Sequence, residues 1–311
     1  MKNNNLFKFL LLTLYLLGCK PSKSNPDKPI MLSAGVNNAA IEATLGTDFN
    51  SYWFTGKAEL NSYQYEINRY DEARKGQMVF VFVTEDLSKS KQVKLDAPEK
   101  AGNDRVPVLK LNTIQRFQTG IYDYSMMSSI FTPIDIKKMP QSLKSTTTVQ
   151  DWCGHVFTQL NHVEKGGYDV HQYSYFETEG DKSFFTEGVL LEDDVFTRLR
   201  IDPASLPSTV KMIPNLTFSR IRHKPVAAFT ANITFKTVKE DSNRICSIHY
   251  PDLKRRLDVV YEPHFPYKIR GFSEYDNEKC MSRATLIKTM LSDYWAKHDN
   301  KSAYLHEALG L

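Results

Sequence analysis

The sequence predicts a mainly β protein: one long, curled antiparallel sheet, a half-barrel or open barrel, with a short internal helix and a C-terminal amphipathic helix. Three observations carry this. The 311 residues include 16 Tyr and 18 Phe, side chains that suit the pleated, half-buried surface of a sheet. Met78-Val79-Phe80-Val81-Phe82-Val83 is an unbroken β-branched and aromatic run, the pattern of a central strand buried on both faces. Between Phe229 and Ile269, apolar and polar residues alternate in four stretches separated by short connections. Strands joined so closely run antiparallel, because a parallel return needs about a dozen residues or more.

Taken in order, Ala39 to Leu45 reads as a short helix. Tyr52 to Leu60, leading into Tyr63 to Ile67, alternates aromatic with polar residues and reads as a strand with one wet face. Lys75-Gly76 then turns the chain into the Met78–Val83 strand, and Lys89 to Leu95 follows as an exposed strand before a polar loop through Gly102 and Asp104. Val106–Leu111 and Phe117–Tyr124 are the next two strands; Met126–Phe131 extends them or forms a loop, and Pro133 and Pro140 bracket a turn. The run from Leu143 to Val163 is closed by Gly166-Gly167, with Tyr168–Thr178 as its hairpin partner. Ser183 to Leu191 makes a further strand.

Glu192-Asp193-Asp194 precedes Val195 to Arg200. Acids at the start and arginines at the end suit a helix dipole, so this is a short helix, ended by Pro203 and Pro207. The alternating meander follows: Phe229, Ala231, Ile233 and Phe235; Cys246, Ile248 and Tyr250; Leu257, Val259 and Tyr261; Tyr267 and Ile269. In Ala284–Trp295, Ile287, Met290, Leu291 and Tyr294 fall at i, i+3, i+4 and i+7, the spacing of an amphipathic helix lying over the sheet. Ala303 to Leu311 is a short second helix.

The N-terminus decides location. Lys2 and Lys8 supply positive charge, Phe9 to Leu17 an apolar core broken only by Thr13, and Gly18 stands directly before Cys19. The run is shorter than the ~20 residues that span a bilayer. Its end, Leu16-Leu17-Gly18-Cys19, resembles the bacterial lipobox. That resemblance implies a signal peptide over 1–18, cleavage after Gly18, and lipidation of Cys19, where several acyl chains anchor far better than one. Residues 19–29, polar and carrying three prolines, read as a flexible tether. Residues 30–311 then form a single β-rich periplasmic domain. Lys20 in place of Asp directs such a lipoprotein to the outer membrane, with the periplasmic face favoured over the cell surface.

Loss of the signal peptide lowers the formal charge from +4 to +2, a balance that argues against a nucleic-acid partner. Cys153, Cys246 and Cys280 remain after the anchor. An odd number of thiols allows at most one bridge in an oxidising compartment, and Cys246 with Cys280 is one conceivable pair.

Candidate chemistry is sparse. In Trp152-Cys153-Gly154-His155, strand alternation points Cys153 and His155 to one side, leaving open a thiol–imidazole dyad or plain core packing. No metal is implied, since neither a CxxC nor an HExxH pattern occurs. His162 and His171 are placed to meet across the Gly166-Gly167 hairpin. The basic clusters Arg220-Ile221-Arg222-His223-Lys224 and Lys254-Arg255-Arg256 suit lipid phosphates or anionic envelope polymers; the plainer account is a solvated turn. Ser88-Lys89-Ser90-Lys91 has Ser-x-x-Lys spacing without its partner motifs, and no Walker loop, Gly-x-Ser-x-Gly or GxGxxG stretch points to a cofactor.

With Tyr52-Trp53-Phe54-Thr55-Gly56-Lys57-Ala58-Glu59, Thr84-Glu85-Asp86-Leu87 and Arg222-His223-Lys224-Pro225 added to the lipobox, the chain resembles a group of uncharacterised Gram-negative lipoproteins over nearly its whole length. Members often carry the automatic label "septum formation inhibitor", borrowed from a cytoplasmic nucleotide pyrophosphatase family. That family opens on a Ser-x-Ser-x-Arg-Arg type stretch. Ser33-Ala34-Gly35-Val36-Asn37-Asn38 here has no arginine, so no pyrophosphatase residue carries over. The expectation is a membrane-anchored, non-enzymatic envelope lipoprotein, its curled sheet enclosing an apolar cavity for a hydrophobic or envelope-derived ligand. The alternative is an envelope scaffold or assembly protein that binds a protein partner.

Overall fold

The computed structural model describes residues 45–187 and 190–311. The signal peptide, Gly18, Cys19, the tether and all but the last residue of the Ala39–Leu45 helix lie outside them. The described residues build one curled, unclosed sheet of fifteen strands. Its strands are β1 Ala58–Arg69, β2 Glu72–Ser88, β3 Arg105–Thr119, β4 Tyr122–Pro133, β5 Lys144–Gln150, β6 His155–His162, β7 Tyr168–Ser174 and β8 Lys182–Thr186. The second half is β9 Leu190–Leu191, β10 Thr209–Ile213, β11 Phe229–Thr237, β12 Arg244–Tyr250, β13 Arg255–Tyr261, β14 Ile269–Asp276 and β15 Lys279–Ser292. Short helices punctuate them: α1 Thr47–Trp53, α2 Val195–Ile201, α3 Leu216–Ile221 and α4 Tyr304–Ala308.

The chain meanders from β1 outward to β8, and from β9 back to β15, which pairs with β1. Every pairing is antiparallel except the two-residue β9–β10 contact. The sheet stays open between β8 and β9, its two edges.

The concave side is filled from within. All seven residues of α2 are buried, and Phe196 meets Phe80 of β2 at 5.1 Å and Phe272 of β14 at 5.8 Å. Beside it, α1 buries Phe49 and Trp53 one helical turn apart, each burial stabilising by ~1.5–3 kcal/mol. β2 carries apolar residues on both faces, as its continuous run predicts. On the convex face, Leu60, Val81 and Val83 are covered by Leu309 at the chain's end, whose carbonyl accepts a hydrogen bond from Ser62 Oγ. The short helix Tyr304–Ala308 stands within the predicted Ala303–Leu311 segment but buries none of its own residues; Leu309, just after it, makes the apolar contact.

Residues 284–295 do not form that helix. Lys279–Ser292 is β15, hydrogen-bonded to both β1 and β14. The register shifts at Ile287, between the pairs Ser62–Lys288 and Tyr63–Leu286. Met290 and Leu291 are adjacent in the strand beyond this bulge, opposite Leu60 and Glu59, and so take opposite faces; the i, i+3, i+4 spacing from Ile287 marks no single face.

Other boundaries move for local reasons. Tyr52 and Trp53 end α1, and the strand begins only at Ala58. The first hairpin turns at Tyr70-Asp71, both at positive φ, not at Lys75-Gly76. Gly76 lies inside β2, where a Cβ would collide with the Arg116 carbonyl of β3. Lys89–Leu95 is a loop held by a single Leu87–Lys94 bridge. β3 is continuous through Phe117, and β4 takes up Met126–Phe131. The Leu143–Val163 run breaks at 151–154 into β5 and β6, and the Ser183–Leu191 stretch divides into β8 and β9. The Gly166-Gly167 hairpin, α2 and the first three strands of the Phe229–Ile269 meander stand where the sequence places them; the fourth begins at Ile269 and runs on to Asp276, with Tyr267 left outside it at φ 53°.

Candidate functional site

The cysteine and histidine candidates separate in space, whereas the two basic clusters meet: Arg222, Lys224, Lys254 and Arg255 line one cleft of about 480 Å³. Cys153 sits in the β5–β6 turn, exposed, its N–H donating to Asp151 Oδ1 at 2.7 Å. Strand alternation therefore does not apply to it, and among the described residues no hydrogen bond joins it to His155. His162 faces Tyr168 across its hairpin, while His171 faces Gln159 and bonds Ser183 Oγ at 3.0 Å, so the two histidines do not pair. Cys246 is buried and free, and Cys280 is free as well; they form no bridge. Ser88 Oγ donates to Asp104 Oδ2 at 2.6 Å and serves a loop.

The basic clusters are not solvated turns. Arg255 is buried and forks onto Glu192, with Nη2 to Oε1 at 2.7 Å and Nη1 also bonded, while its Nε reaches Glu274 at 2.7 Å. Its neighbours along the acidic triplet are also engaged. Asp194 binds Arg198 Nε at 3.0 Å, and Asp193 accepts from Ser145 Oγ at 3.0 Å. These pairs fix α2 inside the sheet, and the Arg255 nitrogens are each bonded to a carboxylate. The space they border with Phe80, Phe196 and Phe272 is about 40 Å³, room for a water or two but not for an acyl chain. Among the described residues, the concavity holds no large apolar chamber.

The first cluster is different. Asn215 caps α3 by accepting from the Phe218 N–H at 2.6 Å. The helix turns Leu216, Phe218 and Ile221 inward and buries them, leaving Ser219 and Arg220 on the wall of a cleft of about 350 Å³. The opposite wall comes from β6, β7 and the loop before β8, through Thr158, Gln172, Glu179 and Lys182. His223 closes the helix at φ 51°, a left-handed backbone uncommon for a non-glycine residue. Its Nδ1 lies 2.8 Å from Glu179 Oε1.

Arg220 is the centre of this site. Its side chain is 9 % exposed and lies 3.9 Å from Glu179 Oε1, beyond hydrogen-bonding distance. Its guanidinium sits 4.2 Å above the Phe176 ring. Among the described residues, Nε and Nη1 have no hydrogen-bond partner, and neither has the buried hydroxyl of Ser219 beside them. Leaving a buried polar group unpaired costs ~1–3 kcal/mol, more when it is charged. Burial pushes the Glu179 carboxyl up, but hydrogen bonds from Ser174 and His223 and the charge of Arg220 outweigh it and hold it below its ordinary value. The carboxylate is thus committed to Ser174, whose Oγ donates at 2.6 Å, and to His223.

Chemically the cleft offers a planar cation, a hydroxyl, an imidazole and, at its rim, Lys182 and Lys224. That set suits an anion taken in the forked geometry a guanidinium gives. Glu179, His223 and Ser219 are the residue types of a hydrolytic triad, but among the described residues no hydrogen bond joins Ser219 to His223. The described residues include no group of three or more ligands that could hold a metal, and no helix long and apolar enough to cross a membrane. The sequence shows the basic cluster, but not that Phe176 and Glu179, some 40 residues earlier, bury one member of it.

No protein-family model and no curated protein matches the chain. Among solved structures, the chain is similar to a beta-barrel-like protein of a domain of unknown function, DUF1849, from Brucella abortus. The identity is 11 %, with 76 % of this chain and 98 % of that chain covered, at a TM-score of 0.45.

Proposed function

We propose that the chain is a lipid-anchored, non-enzymatic protein of the cell envelope that holds an anionic, envelope-derived ligand in the Arg220 cleft. The anchor rests on Leu16-Leu17-Gly18-Cys19 and the tether behind it, with the outer membrane, periplasmic face, as its place. One observation carries the ligand: a nearly buried guanidinium, two of whose nitrogens have no hydrogen-bond partner among the described residues, beside a serine hydroxyl equally without one, on the wall of an open cleft. A phosphate or carboxylate would take up these donors. The packed concavity moves the expected ligand from an apolar interior to this polar cleft. Titrating glycerol 3-phosphate into the Cys19→Ser chain and following the His223 ring signals by NMR tests the reading. Saturable shifts, abolished in Arg220→Gln, are expected; signals that stay fixed in the unsubstituted chain would remove the ligand from this cleft.

A second reading, a scaffold for a protein partner, draws on the convex face. The strand registers align Ile114, Met127, Phe157 and Tyr173 in one transverse row across β3, β4, β6 and β7. Co-purification of one stoichiometric partner, lost on Met127→Lys with Tyr173→Lys, would favour it.

A further inference from the structure

We propose that the sheet edge carrying the β1–β2, β3–β4, β5–β6 and β7–β8 turns is a rim that seats in the interface of a bilayer of amine-bearing, zwitterionic phospholipid. Because neighbouring strands are antiparallel, these four turns all fall on the same edge. Each exposes a large apolar or aromatic side chain at its tip: Tyr70 is 55 % exposed, Ile121 77 %, Trp152 67 % and Tyr175 61 %. The three connections between the same strands on the opposite edge, residues 89–104, 134–143 and 163–167, contain no aromatic residue. There Ile134 and Ile136 fold back into the core, and the shortest turn presents Glu164 and Lys165.

The tips are held out, not merely left out. Asp151 Oδ1 accepts from the N–H groups of Cys153 and Gly154, and the Asp151 N–H bonds the Gly154 carbonyl at 3.1 Å, which fixes the turn under Trp152. The Tyr175 ring lies against Gly154, where a Cβ would come within 2.5 Å of it. The Tyr70 hydroxyl is tied to Tyr124 at 2.9 Å and to Tyr122 at 3.2 Å. Trp and Tyr are the residues that favour the membrane–water boundary, their apolar rings in the acyl region and polar atoms at headgroup level.

Spacing and charge select the occupant. Successive tips are two strands apart, roughly 10 Å, and neighbours touch in pairs: the Tyr70 hydroxyl meets Tyr122 beside Ile121, and the Tyr175 ring lies against Gly154 in the Trp152 turn. A narrow row of rings suits a fluid bilayer, which conforms to it; a protein interface needs ~800 Å² of continuous surface per partner. Every tip also has a carboxylate within two residues, Asp71, Asp123, Asp151 and Glu177, and only the Tyr70 tip offsets it, with Lys279 3.7 Å from Asp71 and Arg69 4.4 Å above the Tyr70 ring. The carboxylates at the other tips disfavour an anionic lipid surface and attract ammonium headgroups, which aromatic faces also favour. The inference stands on the tips alone and does not need the Arg220 cleft to bind anything, although α3 belongs to a connection on the same edge.

Flotation of the full chain carrying Cys19→Ser, which removes the acyl anchor, tests it. Vesicles of phosphatidylethanolamine with phosphatidylcholine should carry the protein up the gradient, and phosphatidylglycerol-rich vesicles should carry several-fold less. Ile121→Ser with Trp152→Ser, both at exposed tips and outside the core, should cut flotation at least fivefold with an unchanged melting temperature. Arg220→Gln should float like the parent, which separates this proposal from the ligand cleft. No flotation on zwitterionic vesicles, flotation only on anionic ones, or flotation indifferent to the tip substitutions would overturn it. So would a protein partner lost by the tip variant in place of vesicle binding.

Discussion

Arg200 of α2 meets Glu59 of β1 through two parallel hydrogen bonds of 2.6 Å, at positions where neither side chain is exposed to solvent. Asn61 adds a bond to the same carboxylate at 2.6 Å, and Tyr52 adds another from α1. The guanidinium lies 4.9 Å from the Trp53 ring and 4.8 Å from the Phe82 ring, two aromatic neighbours that meet each other at 6.1 Å. One ion pair thus ties two helices to the first strand. Removing one partner strands the other charge in the core.

Glu59→Gln or Arg200→Met is therefore expected to cost on the order of 3–5 kcal/mol, read from denaturant midpoints. The pH dependence has a definite sign. Burial pushes the Glu59 carboxyl up, but Arg200, Asn61 and Tyr52 outweigh it and hold it at about 2. Its stabilisation is present above the ordinary value of 4.5 and is lost as pH falls from there through about 2. Glu59→Gln should flatten the acid limb of the stability curve in that window.

Asp193 has the opposite sign. Burial, then the charge of Glu192, pushes it up to about 7 from an ordinary 3.8. The fold holds its protonated form, so this contribution is full below 3.8 and is lost as pH rises through about 7. Asp193→Asn, which keeps a partner for Ser145 Oγ, should gain ~2–4 kcal/mol over the parent at pH 8 and little at pH 4. Urea midpoints at the two pH values check it; equal differences at both would contradict it.

The thiols should react in a fixed order. Cys153 is exposed in its turn, whereas burial and then the nearby Asp258 push the Cys246 thiol up to about 12. In the Cys19→Ser chain, iodoacetamide should label Cys153 first and reach Cys246 only under denaturing conditions. Three reactive thiols in denaturant without reductant are expected. A count of one would restore the Cys246–Cys280 bridge.

Where the sequence was legible, one face of an element met water and the other met the core. The first three strands of the 229–276 meander are the clearest instance, and Gly166-Gly167, at φ 86° and 85°, marks its hairpin equally well. Legibility fails where a residue does something non-local. Ile287, Met290 and Leu291 look helical by spacing, but β15 puts Met290 and Leu291 on opposite faces. Gly76 looks like a turn but is required by the backbone of Arg116. Arg255 looks like part of a wet basic turn until Glu192, more than 60 residues earlier, neutralises it. The cleft is legible only in half: Arg220 and His223 stand out by charge, but the burial of Arg220 depends on Phe176 and Glu179.

Non-denaturing mass spectrometry of the chain released from cell membranes, with Arg220→Leu prepared alongside, tests the ligand cleft most directly. Arg220 has no hydrogen-bond partner for Nε or Nη1 among the described residues but lies 3.9 Å from Glu179 and 4.2 Å above Phe176, so Leu in its place should lower the melting temperature modestly while the chain stays folded, which circular dichroism checks alongside. The account predicts an added anionic mass on the parent chain that is missing from the variant. A parent without any retained species, or the same species on both chains, would contradict it.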